Sequence, residues 1–150
     1  MRTFSSPAEI EGAQGEPLGT SEWRTITQQQ IDLFAEATDD HQWIHVDAER
    51  AAAGPFGTTI AHGFLSLSLL AAFSQEIIAL EGVRMAVNYG LDRVRFLTPV
   101  RVGSRVRGSA ELLAAVPTDA GIRITVRHTV EIEAEPKPAL VADAIAMLFW

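Results

Sequence analysis

The chain contains no cysteine. Disulfide stapling, thiol catalysis and Cys-ligated zinc are thereby excluded, and a reducing compartment is the expected location. Basic residues are scarce too: 12 Lys and Arg against 19 Asp and Glu leave a formal net charge of -7. Proteins built to hold nucleic acid normally carry a basic face, so no nucleic-acid partner is expected. Long apolar runs are missing as well. The most apolar stretch, "FLSLSLLAAF", falls short of the ~20 residues that span a bilayer. The opening "MRTFSSPAEIEG" lacks the basic-then-apolar layout of a signal peptide, so a cytoplasmic protein without a membrane partner is expected. No Ser stands in a G-x-S-x-G elbow, which removes support for Ser-type acyl transfer. Internal repeats and low-complexity segments are absent.

What is present suits a globular protein. The 150 residues are 47% apolar and 21% charged, enough for one domain, 1–150, with a real core. "SPAE" at 6–9 has the form of a capping box with Pro at the first helical position, predicting a helix from Pro7 to about Ala13 closed by Gly15. "TSEWRTI", 20–26, reads as a strand. Thr27 and Gln30 make a second capping box that opens a helix with Ile31, Phe34 and Ala35 on one face, ending near Thr38. "DAERAAAG" predicts a short helix capped by Asp47 and stopped at Gly54. Residues 61–80 are apolar on nearly every side through Phe73, the pattern of a helix surrounded by protein.

The remainder turns to strands. Ile122, Ile124, Val126, His128, Val130 and Ile132 alternate with Arg123, Thr125, Arg127, Thr129, Glu131 and Glu133. "RMAVNYG", "DRVRF", "SRVRGSAELLAAV" and "ALVADAIAML" read as strands of the same sort. A dozen residues would extend ~40 Å if flat, longer than so small a domain can use, so such strands must curve. Periodicity thus predicts an α+β fold: one buried helix followed by a strongly bent antiparallel sheet. It does not distinguish this from a generic α+β sandwich.

The chemistry-bearing residues crowd into "TDDHQWIHVD", 38–47. Asp40 and His45 are five residues apart, which puts them about 140° apart on a helix and on opposite faces of a strand. They meet only if the chain bends between them. An Asp-His pair can hold a water and move protons near neutral pH; a capping Asp and a satisfied buried His account for the spacing equally well. A metal reading would use His41 and His45 with Asp40 or Asp47. It needs a helix where no helical period is visible, and Gln42 stands where the zinc-protease motif has Glu, so no metal is expected. His41 is expected to face solvent. In "TIAHGF", Gly63 opens the buried helix, where an unpaired N–H can receive a carbonyl oxygen or oxyanion. Close packing is the plainer role for Gly63, as capping is for His62.

Taken together, "FAEATDDHQWIHVDAERAAAGPFGTTIAHGFLSLSLL" resembles the hydratase motif of the MaoC-like (R)-specific enoyl-CoA hydratases, most closely their small NodN-like branch. Phe34, Asp40, Ile44, His45 and Ala51 fall on the motif in register. Phe56, Gly57, Ile60, Ala61, His62 and Gly63 match its "F-G-x-x-I-A-H-G" block, and "NYGLDRVRFLTPVRVGS" resembles the strand pair beyond. The likeness runs from about residue 19 to the C-terminus. It implies a hot-dog fold, a long central helix wrapped by a curved antiparallel sheet, and a homodimer binding acyl-CoA at a groove between protomers. It makes Asp40 and His45 the water-activating pair and the Gly63 N–H the oxyanion donor. His62, Phe56, Arg93 and Arg95 become candidate substrate contacts. Arg101, Arg105 and Arg107 share the basic patch that would meet CoA phosphates. The implied reaction is addition of water to a trans-2-enoyl-CoA to give the (R)-3-hydroxyacyl-CoA, with no cofactor besides the CoA carrier.

In two places the chain departs from the family. Asp39 replaces a Gly, adding a Cβ and a like charge beside Asp40, and Gln42-Trp43 replaces Asn-Pro. Two rivals remain. A hot-dog thioesterase would use a lone carboxylate on the central helix, where only Glu76 stands, late and expected to be exposed. A non-catalytic acyl-CoA binder would follow if Asp39 marked a degenerate site.

Overall fold

A computed structural model describes residues 1–150. A short strand β1 (Arg2–Phe4) leads to α1 (Pro7–Gly12), where half of the predicted capping box forms: Ser6 Oγ accepts from the Glu9 N–H and Pro7 takes the first helical position, but the Glu9 carboxylate accepts from the Ser5 N–H rather than from that of Ser6. In place of one strand over 20–26, the chain makes β2 (Pro17–Thr20) and β3 (Arg24–Thr25). Ser21 is the reason. Its N–H donates to Gly108 O at 2.8 Å while its Oγ accepts from the Gly108 N–H at 2.9 Å, so a side chain occupies the place of a ladder carbonyl. The Glu22 N–H then leaves the sheet for the Glu76 carboxylate.

The Thr27–Gln30 capping box forms, with each side chain accepting the other's backbone N–H, and starts α2 (Gln28–Thr38). Two short helices follow, α3 (Trp43–Val46) and α4 (Ala48–Ala52), the latter capped by Asp47, whose Oδ1 accepts from the Arg50 N–H. The single helix expected over 61–80 is in fact two in succession, α5 (Gly63–Ser68) and α6 (Leu70–Ile77), and Ile78–Leu80 departs as strand β4, parallel to β1. At the joint Ser68 Oγ donates to Leu65 O at 2.7 Å, a bond back to the preceding turn that bends helices. The Leu69 N–H still reaches Leu65 O and the Phe73 N–H still reaches Leu69 O, so the two helices continue each other.

The sheet takes strands β5 (Met85–Phe96), β6 (Arg105–Thr118), β7 (Gly121–Ile132) and β8 (Leu140–Phe149) in the order β2-β6-β7-β8-β5, with β3 also alongside β6, all antiparallel. The segments 84–90 and 92–96, read as separate strands, are one strand interrupted by register shifts between Asn88 and Gly90 and between Asp92 and Arg95. A further shift in β6 lies between Leu112 and Ala114. Each shift bends its strand, and this lets strands of 12 and 14 residues curl around the central helices. The alternation in β7 holds throughout: Ile122, Ile124, Val126, His128, Val130 and Ile132 are all buried, and the five aliphatic residues share one core with Phe73 and Ile77. Gly108 of β6 lets the sheet close on the helix, since a Cβ there would lie 2.7 Å from the Phe73 ring. A curved antiparallel sheet around central helices is the hot-dog arrangement that the sequence resemblance implies. No helix is long and apolar enough to cross a membrane.

Candidate active site

The site begins where α2 ends. Asp39 closes that helix in the left-handed region, at φ 59°, a place that favours Gly. This explains the family's preference there and leaves the Asp39 side chain fully in solvent, nearest His41. Asp40 follows, exposed, its Oδ1 accepting from the Gln42 N–H. The chain then makes the single turn α3, a helix that the sequence pattern did not reveal, and so brings His45 inward to 6% exposure.

His45 is held from two sides. Its Nδ1 lies 2.7 Å from Ile60 O and must carry the proton in that bond, which leaves Nε2 with a free lone pair. Gln28, a residue no motif singled out, donates from Nε2 to His45 O and accepts from Thr59 Oγ1, tying α2 to both segments. Burial lowers the His45 pKa, outweighing the Ile60 bond that raises it; the field of His62 lowers it further, and Asp40 raises it least. Desolvation thus prevails over the field of the Asp40 carboxylate, and the ring is neutral at neutral pH.

His62 is the N-cap residue of α5 and is 2% exposed. Its Nε2 donates to Asp40 O at 2.9 Å, and its ring stacks on His45 with centroids 3.8 Å apart and planes 23° apart. Phe34 of α2 packs beside it. His62 thus touches both members of the pair while lining no cavity described below. One oxygen of Asp40 and one ring nitrogen each of His45 and His62 lie within 4.8 Å of one another. Hydrogen bonds of about 2.8 Å from one water span such a gap between Asp40 and His45. A metal suits the trio poorly. Imidazole lone pairs lie in the ring plane, and near-parallel stacked rings aim them side by side rather than at one point.

Gly63 opens α5, and a Cβ on it would lie 3.0 Å from the Phe96 ring. Gly63, His45 and Ser66 line a cavity of about 320 Å³ with Phe96, Thr98 and Val100. Asp40 lines another of about 730 Å³ with Phe34, Phe64, Leu67, Tyr89 and Leu91. The Phe64 and Phe96 rings pack at 5.8 Å, one bordering each cavity.

The remaining candidates divide. Phe56 lines neither cavity, and its carbonyl accepts from Arg101. Arg101, Arg105 and Arg107 pair with Glu135, Glu133 and Glu131. Arg93 and Arg95 have no acidic partner and stand exposed on β5, Arg93 at the strand's second register shift with φ 52°. Glu76 is half-buried rather than exposed. Bonds from Arg24 and the Glu22 N–H hold its pKa below the usual carboxylate value and give it a structural task.

Residues 9–134 match the MaoC like domain family. The chain is 55% identical over 146 residues to 3-hydroxyacyl-thioester dehydratase Z of Mycobacterium tuberculosis, covering 97% of each chain. It is 51% identical to Nodulation protein N of Rhizobium leguminosarum bv. viciae, covering 95% of this chain and 91% of that one. Among solved structures it resembles the unliganded R-hydratase PhaJ1 from Pseudomonas aeruginosa, with a TM-score of 0.77 and 27% identity over 95% of this chain and 84% of that one. The chain belongs to the MaoC-like domain family and is a hydro-lyase of the hydratase and dehydratase type.

Proposed function

We propose that the chain is an (R)-specific enoyl-CoA hydratase, acting on trans-2-enoyl-CoA and, in reverse, on (R)-3-hydroxyacyl-CoA. One observation carries the reading: an exposed carboxylate and a neutral imidazole, its tautomer fixed by Ile60 O, lie within one water's reach. In this reaction Asp40 and His45 hold a water over C3 of the enoyl group. As its oxygen bonds to C3, the pair takes one of its protons, and a proton returns to C2 on the same face. The pair ends as it began, acting as a coupled unit. Negative charge builds on the thioester oxygen meanwhile. The Gly63 N–H faces it, a contribution of about 10²–10³ in rate for donors of this kind.

Water addition changes no net oxidation state, so the reaction requires no redox cofactor, and CoA serves as the carrier. Arg93 and Arg95, lacking acidic partners, are the side chains assigned to its phosphates. Met85, Val87, Tyr89 and Leu91 stand exposed along β5, which has no neighbour on its outer edge; this supports a homodimer that covers the strand. The cytoplasm remains the location assigned from the sequence.

Hydration of crotonyl-CoA, followed by loss of enoyl absorbance, tests the reading with wild type, Asp40→Asn and His45→Gln. Turnover by wild type, with both folded variants reduced by orders of magnitude and an (R) product, is the expected result. Wild type inert on crotonyl-CoA and on a longer enoyl-CoA would leave a non-catalytic acyl-CoA binder.

A further inference from the structure

We propose that a cavity behind the central helices receives the distal part of the acyl chain, and that His128 selects chains carrying an uncharged oxygen function there. This inference rests on the hydratase reading above and deepens it. The groove lined by Asp40 shares Leu70, Ala71, Asn88 and Ala144 with a second cavity of about 350 Å³. The two are therefore neighbours across a common wall in which Ala71 and Ala144 are small. The second cavity lies between α6 and the inner face of β7 and β8, and Phe4 and Ile10 of the N-terminal segment close it. From Gly63 to Ser74, which lines it, the helices advance roughly 16 Å at 1.5 Å per residue. That length suits an extended acyl chain rather than a crotonyl group.

The lining is mostly apolar, as a hydrocarbon tail requires. His128 breaks the pattern. It occupies an inner position of β7 where its neighbours in the alternation are Val126 and Val130, and it is 3% exposed. Its Nδ1 is buried and makes no hydrogen bond. On the adjacent strands it faces Ala110 and Ala142, neither of which can offer a partner from its side chain. Leaving a buried polar atom unpaired costs about 1–3 kcal/mol, and a Leu or Val would incur no such cost. Burial depresses its pKa to about 4, so the ring is neutral and presents one donor and one acceptor. A carboxylate at the end of the tail would lose its hydration without gaining a cation. A hydroxyl or oxo group meets the ring without charge, and a hydroxyl can both donate and accept. The substrate class is thus an enoyl thioester with an oxygenated distal chain.

The test compares kcat/KM for trans-2-dodecenoyl-CoA with that for the same chain bearing a hydroxyl or oxo group on its penultimate carbon. Full-length wild type, His128→Leu and Ala71→Phe are measured. Wild type is expected to favour the oxygenated chain by about tenfold, equivalent to about 1.4 kcal/mol, and His128→Leu to reverse the preference. Ala71→Phe, which narrows the shared wall, is expected to lower both long substrates relative to crotonyl-CoA. An oxygenated-to-plain ratio equal in wild type and His128→Leu overturns the proposal, as does undiminished long-chain turnover by Ala71→Phe. If wild type fails on crotonyl-CoA and on both long enoyl-CoAs alike, the hydratase reading falls. Equilibrium binding of the matching saturated acyl-CoAs then reports the same ratio, and its independence of His128 would overturn this inference separately.

Discussion

Replacing His62 by Phe removes one hydrogen bond from the site while retaining an aromatic ring against His45 and Phe34. The bond in question, from His62 Nε2 to Asp40 O, anchors the backbone of an exposed residue whose only other hydrogen bond is a long one to the Gln42 N–H. Loss of one such bond costs about 1 kcal/mol, and removal of the unpartnered Nδ1 offsets part of that. Stability should therefore change by less than about 1.5 kcal/mol. Catalysis should suffer more, because a displacement of about 1 Å at a reacting group can cost about 10²-fold. We expect kcat for crotonyl-CoA hydration to fall between about tenfold and a hundredfold, with KM changed far less. The pH profile supplies the decisive readout. The reaction needs neutral His45, so rate is lost as pH falls through the His45 pKa. His62 helps to lower that pKa, and its removal should move the acid limb to higher pH. Unchanged kcat, or a loss of rate with an unmoved limb, would refute a positioning role and leave His62 as packing alone.

Other outcomes follow from single contacts. Gly108→Ala places a methyl 2.7 Å from the buried Phe73 ring, and urea unfolding should show a loss of about 1–3 kcal/mol. Asp39→Gly relieves a left-handed residue at the end of α2 and should stabilise by up to about 1 kcal/mol with hydration activity retained, measured by thermal melting and turnover. His128 titrates near 6.5 when unfolded and about 4 when folded, so the unfolded chain binds the proton first as pH falls. Stability should thus decline from pH 6.5 toward 4, by at most ~3 kcal/mol. Denaturation of His128→Leu across that window should lack this component; an unaltered slope would show that other groups cause the decline.

Local rules were legible in the sequence where they did not depend on distant partners. The Ser6 and Thr27 caps, the Asp47 cap and the strict alternation of β7 all appear as the residues predict, because each is set by neighbours within one turn or by a continuous period. The failures share a cause. Ser21 divides a predicted strand through its bond to Gly108, nearly ninety positions along the chain. The turn α3 has no period of its own and is stabilised from outside by Gln28 and by Ile60. Glu76 looked exposed because nothing nearby predicts the reach of Arg24.

For the site, the sequence alone determined which residues are available: the pair Asp40 and His45, a Gly at the mouth of a buried helix, and arginines on an acidic chain. Spacing could not say whether the pair meets. Only the tertiary structure decided that, by turning the chain at Asp39, burying His45 against Ile60 and His62, and leaving Arg93 and Arg95 without acidic partners while Glu residues took Arg101, Arg105 and Arg107. The physical reason is that burial and hydrogen-bond partners fix protonation and orientation, and both are properties of segments brought together from far apart in the chain.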